Sequence, residues 1–160
     1  MKELMEEFIG YLHSKKNVSY NTEISYQRDL KKLEEYFEKK KIGRWEDVSE
    51  TDIQNYLSKM REENFASATI SRNIATIRAF FQYLLRQGII AEDPSENLNP
   101  PKVEKKLPQT LTVQEVDRLL GMPDQSTAKG LRDRAMLELL YATGMRVSEL
   151  IHLKISDLNL

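Results

Sequence analysis

The chain has 160 residues, 40% hydrophobic and 31% charged, with a formal net charge of -1. That composition suits a globular protein able to bury one good core or two small ones, and it holds neither an apolar run near the ~20 residues of a bilayer span nor a secretory pattern at its start. Cysteine is absent, which excludes disulfides and thiolate metal sites and fits a reducing cytoplasm, and two histidines, His13 and His152, are too few for a histidine cluster.

Helical periodicity dominates, and no period-2 strand pattern stands out. Leu4, Phe8 and Leu12, flanked by Met5 and Ile9, mark a first helix that Asn17 and Val18 end. Ser19 is placed to cap a second helix, in which Tyr26, Leu30, Leu33 and Phe37 recur at helical spacing as far as about Lys41, with Gly43 as the breaker. Ser49 and Asp52 read as a capping pair ahead of the stripe Ile53, Leu57 and Met60. Ser67 opens a fourth helix with the apolar side Ile70, Ile74, Ile77, Phe81 and Leu84, and Gly88 closes it. Four helices with short connections predict an all-α bundle over residues 1–99, with Trp45, Phe65 and Phe80 in its core or at its edge.

Asp93-Pro94-Ser95 starts a short turn. The run from Asn99 to Pro108 holds three prolines and three lysines and predicts an extended, semi-rigid linker over residues 100–110. Beyond it, Thr112 and Glu115 form a capping box before Val116, Leu119 and Leu120, and Met122 to Ser126 is a loop. A buried helix from roughly Leu131 to Thr143 runs into Gly144, which accepts the left-handed conformation at low cost. Arg146, Val147, Glu149, Leu150 and Leu153 begin another amphipathic turn, so Arg146 is presented at a tight corner; Leu153, Ile155 and Leu158 predict a turn into a strand. A portion of about 50 residues is near the lower limit for a self-sufficient core, so residues 111–160 read as part of a larger domain.

Charge is unevenly distributed. From Ser67 to Ile90 there are three arginines, Arg72, Arg78 and Arg86, and no acid. A wheel sets Ala68, Ser71, Arg72, Ala75, Thr76, Arg78, Ala79, Gln82 and Arg86 opposite the apolar stripe. This is either a phosphate-facing surface, where small residues allow close approach and Arg and Ser donate, or a solvated face that lacks acids. On the second helix the matching residues are Thr22, Ser25, Arg28 and Lys32, interleaved with Glu23 and Asp29. Lys102, Lys105 and Lys106 either track a nucleic-acid backbone or keep the linker solvated.

The run Gly130-Leu131-Arg132-Asp133-Arg134-Ala135-Met136-Leu137-Glu138-Leu139-Leu140-Tyr141-Ala142-Thr143-Gly144-Met145-Arg146-Val147-Ser148-Glu149-Leu150 resembles the first catalytic-arginine segment of the tyrosine site-specific recombinases, most closely the Xer branch. The upstream part resembles that family's helical core-binding domain. The resemblance therefore implies a four-helix SAM-like bundle at 1–99, a linker at 100–110, and the opening helices of a mixed α/β catalytic domain at 111–160. It implies that the second and fourth helices clamp duplex DNA through Ser71, Arg72, Arg78, Thr22, Ser25 and Arg28, with Lys105 and Lys106 along the backbone.

It also implies that Arg146 holds the scissile phosphate, a role that suits an always-charged fork of donors. Glu149, three residues on, either orients the phosphate ligands or forms a plain surface ion pair. The implied reaction is attack by a tyrosine, giving a phosphotyrosyl link without metal or nucleotide cofactor. The seven tyrosines, at 11, 20, 26, 36, 56, 83 and 141, all precede Arg146 and read as packing or DNA-contacting residues; His152 does not fall in the family's His-x-x-Arg pattern. The expectation is the N-terminal part of a cytoplasmic recombinase whose whole form acts as a tetramer on two duplexes, with a paired recombinase at some sites. On this reading the 160 residues bind DNA without cutting it. A naturally short DNA-binding regulator and a helical protein-interaction module are the alternatives; chromosome-dimer resolution and movement of an integrating element both remain open as the task.

Overall fold

The computed structural model describes residues 1–16, 18–101 and 110–157. The described residues are helical, with no strand among them: α1 (Lys2–Lys16), α2 (Tyr20–Lys39), α3 (Glu50–Glu62), α4 (Ser67–Arg86), α5 (Val113–Leu120), α6 (Ala128–Thr143) and α7 (Val147–Leu150). The chain divides into two compact units, Met1–Lys105 and Lys106–Leu160.

In the first unit the caps follow from the side chains. Ser19 accepts from the Thr22 amide, and Ser49 and Asp52 bond reciprocally at the start of α3. The N-cap of α4 is Ala66 rather than Ser67, and no side chain caps it. Three helices share one closure. A residue at positive φ donates back to the helix, and the apolar residue after it donates to a carbonyl five positions upstream: Lys41 (φ 62) with Ile42, Asn64 (φ 59) with Phe65, and Gly88 (φ 70) with Ile89. Lys41, not Gly43, therefore stops α2. The motif needs one left-handed residue and an apolar successor to pack on the last turn, and Ile42 supplies the second requirement.

Met5, Phe8 and Leu12 from α1 meet Leu30, Leu33 and Phe37 from α2, Ile53, Leu57 and Met60 from α3, and Ile70, Ile74, Ile77, Phe80, Phe81 and Leu84 from α4. Trp45, in a 3-10 turn at Trp45–Asp47, sits at the centre, with ring centroids 4.8 Å from Phe80 and 6.0 Å from both Phe37 and Phe81. Its indole N–H donates to the Met1 carbonyl at 3.0 Å. Fully burying one such side chain contributes about 2 to 3 kcal/mol before the entropy of ordering it, so this cluster carries the unit. Phe65 is half-buried at the edge.

α2 and α4 run antiparallel. Tyr26 stacks on Phe8, which touches Phe80 and Tyr83; Asp29 reaches residues 72–76; and Lys32 lies over Phe65, just ahead of α4. The turn at Asp93–Ser95 is closed by the Asp93 carboxylate, which accepts from the Ser95 amide at 2.8 Å and hydroxyl at 2.6 Å, and it returns Leu98 to the core.

The second unit is thinner. Thr112 and Glu115 form the expected capping box on α5, and those bonds hold the Glu115 carboxyl below the usual carboxylate range. α6 is capped by Thr127 and packs Gly130 against the backbone of Asp124, but Leu131 and Tyr141 are exposed, so α6 is not the buried helix its composition predicts. Among the described residues only Gly130 and Leu150 are buried here, because three short helices have too few neighbours to cover every apolar face. A 3-10 turn at Ile155–Asp157 replaces the expected entry into a strand, and Leu158 lies outside the described residues.

Candidate nucleic-acid interface and catalytic corner

The face of α4 that the sequence leaves open is narrower in the structure. Ala68, Arg72, Ala75, Gln82 and Arg86 are exposed, Ser71, Arg78 and Ala79 are half-buried, and Thr76 is fully buried. The hydroxyl of Ser71 is shielded from solvent without a hydrogen-bond partner. Thr76 is buried because α2 lays an acid against it.

That acid is Asp29. Its side chain is 2% exposed, and its Oδ2 accepts from Arg72 Nη1 at 2.8 Å and Thr76 Oγ1 at 3.1 Å, while Oδ1 accepts from Asn73 Nδ2 at 3.2 Å. Asn73 is itself fixed, since its amide also donates to the Thr69 carbonyl and its Oδ1 accepts from the Tyr56 phenol at 3.1 Å. One polar network thus ties α2, α3 and α4 together inside an apolar bundle. Desolvation raises the Asp29 carboxyl above its ordinary value, and the Arg72 charge and the Thr76 and Arg72 hydrogen bonds offset this only in part. Burial, with the Asp29 charge nearby, pushes the Tyr56 phenol up. The sequence carried a signal for this network. Asp29 lies three residues after Tyr26 and four before Leu33, on the buried stripe, where an ionised group demands a partner.

The other expected DNA contacts separate. Arg78 lies 240° around α4 from Arg72 and donates to the backbone carbonyls of Leu98 and Glu96. It lines a cleft of about 1120 Å³ whose walls also carry Glu46, Glu50, Glu92, Asp93 and Glu96. There it anchors the returning segment, amid acids that oppose phosphate approach. Ser25 donates to the Asn21 carbonyl at 2.7 Å, and Thr22 pairs with Ser19 within the α2 cap, so both hydroxyls are committed locally. Arg28 and Lys32 are exposed, one turn apart on α2. Lys105 and Lys106 lie outside the described residues.

In the second unit the chain turns sharply between α6 and α7. Gly144 takes φ 65 and its amide donates to Leu140, so the helix stops there and Arg146 becomes the N-cap of α7. Glu149 makes two bonds to that one residue, accepting from the Arg146 amide at 2.7 Å and from Nη1 at 3.0 Å. Arginine has no acceptor to return, so this is half a capping box, closed by a charge. The Arg146 side chain is 83% exposed, so most of its fork faces solvent. Ser148 is inside α7, and the His152 imidazole donates to the Ser148 carbonyl at 2.7 Å.

Residues 5–88 match the family model for the phage integrase N-terminal SAM-like domain, and residues 109–160 that for the phage integrase family. The tyrosine recombinase XerC of Roseiflexus castenholzii is 42% identical over 161 residues, covering 100% of this chain and 51% of its own length. The tyrosine recombinase XerD of Staphylococcus haemolyticus is 43% identical over 160 residues, covering 100% of this chain and 54% of its own. The chain thus spans about half the length of the curated relatives it matches. Among solved structures, the Tn1549 transposon integrase in complex with circular intermediate DNA covers 98% of this chain and 50% of its own at TM-score 0.70 and 20% identity, a likeness of fold. The chain belongs to the phage integrase family, with that family's N-terminal SAM-like domain followed by the start of its catalytic domain, and its relatives over the whole length are Xer tyrosine recombinases.

Proposed function

We propose that these residues are the duplex-binding part of a tyrosine recombinase, with Arg146 as a ligand of the scissile phosphate. The observation that carries this is the family match across both units; the role of Arg146 rests on the resemblance of the run from Gly130 to Leu150 to the family's first catalytic-arginine segment. The geometry supports it: a guanidinium on a rigid helix corner, exposed and braced by Glu149, is suited to hold two non-bridging phosphate oxygens as charge develops on them. Glu149 orients Arg146. Arg28, Lys32 and Arg72, on neighbouring helices, form the DNA face of the first unit; Arg78 belongs to the structural tie instead.

The related integrase solved on DNA suggests the same partner here. The whole enzyme would act in the cytoplasm as a tetramer on two duplexes, passing the strand through a phosphotyrosyl link. Among the described residues no helix is long and apolar enough to cross a membrane. A titration with labelled duplex DNA across salt concentrations tests the reading: the log-log slope should be about -0.9 per neutralised phosphate. Absent binding at low salt, or a flat salt response, would replace it with a protein-interaction module.

A further inference from the structure

We propose that Asp29 is a positioning residue for DNA binding, tethering Nη1 of the Arg72 guanidinium to the bundle so that its remaining donors are presented to a backbone phosphate. The inference rests on the duplex-binding reading and adds to it a residue that DNA never touches.

The geometry runs from the inside outward. The Tyr56 phenol fixes the Asn73 amide, Asn73 and Thr76 fix the two oxygens of Asp29, and Asp29 takes Nη1 of Arg72 at 2.8 Å. A guanidinium is planar with five donors, so tethering Nη1 to Asp29 Oδ2 narrows the directions in which the remaining donors can point. The Arg72 side chain is 43% exposed against 2% for Asp29, so the pair straddles the surface with its acid inside and its free donors outside. Holding a long side chain still is a large part of the entropy of any phosphate contact, and here folding has already done it.

Two effects compete when Asp29 is removed. Losing a carboxylate strengthens the local positive field, which favours DNA; freeing Arg72 returns its rotamers, which disfavours it. Removing Asp29 leaves Arg72 without its counter-charge, a gain for DNA binding, so the inference requires the loss of orientation to outweigh that gain, and the sign of the affinity change decides between the two.

The test compares the 160-residue chain with Asp29→Asn on a labelled duplex of random sequence, with fluorescence of Trp45, the single tryptophan, confirming the fold. Asp29→Asn should bind about tenfold more weakly, with a salt slope shallower by roughly 0.9, the signature of one lost phosphate contact. A purely structural ion pair would leave both readouts unchanged in the folded protein, and that result overturns the inference while leaving the duplex-binding reading intact. Tighter binding by Asp29→Asn with a steeper slope overturns it as well, because Asp29 would then be withholding the cation. Failure of the unmodified chain to bind at low salt removes the duplex-binding reading itself. If Asp29→Asn does not fold, Arg72→Lys, which keeps the buried charge balanced but has no planar fork, decides: a loss of about tenfold supports the inference, and unchanged affinity refutes it.

Discussion

Replacing Arg72 by alanine separates structural from functional use of this residue, because the structure assigns it a stability role that the sequence does not show. Among the described residues Arg72 is the only cation hydrogen-bonded to Asp29, so Arg72→Ala leaves a carboxylate of 2% side-chain exposure with the Thr76 and Asn73 hydrogen bonds. Breaking a buried pair this way costs about 3 to 5 kcal/mol, and the 43% exposure of Arg72 places this case at the lower end. A ceiling comes from protonation. Relative to an unfolded value near 3.9, keeping one carboxyl neutral at pH 7 costs about 4 kcal/mol, since each pKa unit is about 1.4 kcal/mol.

We therefore expect Arg72→Ala to lose about 2 to 4 kcal/mol at pH 7 and less than about 1 kcal/mol at pH 4, where the neutral acid is nearly free. Urea unfolding followed by Trp45 fluorescence reads this in the first unit alone, as Trp45 is the only tryptophan and lies in that core. Adding Asp29→Asn should restore most of the loss at pH 7, because no charge is then left buried. An equal loss at both pH values, or no rescue by the double variant, would refute the reasoning. Weak DNA binding by Arg72→Ala alone would thus not identify a DNA contact; it must be read on the folded fraction.

Asp29→Asn alone should show the opposite sign of pH dependence to that of a stabilising surface acid. The folded value of Asp29 is raised, so its stabilising contribution is complete below the unfolded value and is lost as pH rises through the folded one. The wild type minus Asp29→Asn stability difference should therefore fall between pH 4 and pH 7 in urea titrations, and a rise would mean that Arg72 outweighs desolvation. Tyr56→Phe strips Asn73 Oδ1 of its donor and should cost about 1 kcal/mol by the same fluorescence assay, with no loss pointing to a water in its place. Gly130→Ala would put a Cβ 1.9 Å from the Asp124 carbonyl oxygen, so α6 must shift; its amide exchange should quicken by at least about tenfold, and unaltered exchange would show that the 124–130 contact is not a constraint.

Element existence was legible wherever period and cap agreed. The Ser49 and Thr112 caps and the left-handed Gly144 follow directly from side-chain chemistry. The end of α2 was not legible, since a lysine at positive φ has no residue-type signal and Gly43 offered a false one. Nor was the burial of Thr76, because a wheel drawn on α4 alone knows nothing of what α2 brings to it. The polar members of the network, Asp29, Asn73 and Thr76, each sit on or beside an apolar stripe. Treating a polar residue at a core position as a demand for a partner would have found them.

The same correction alters what the acid-free stretch of α4 means. Its three arginines have separate fates: Asp29 of α2 supplies the missing counter-charge to Arg72, backbone carbonyls of residues 96 and 98 take Arg78, and Arg86 has no ion pair among the described residues. The electrostatic content of a helix face belongs to the face, including what neighbours contribute, and not to the helix sequence. The cations of the proposed first-unit DNA face are then Arg28, Lys32 and Arg72, and three phosphate contacts predict a salt slope of about -2.7. A slope steeper than about -4 would require at least two more contacts, with Lys105 and Lys106 of the linker as the candidates, and Lys105→Gln/Lys106→Gln would then have to reduce it by close to 2. A slope that stays steep in that variant would show instead that Arg86 or the second unit grips the duplex, and the three-residue face would be wrong.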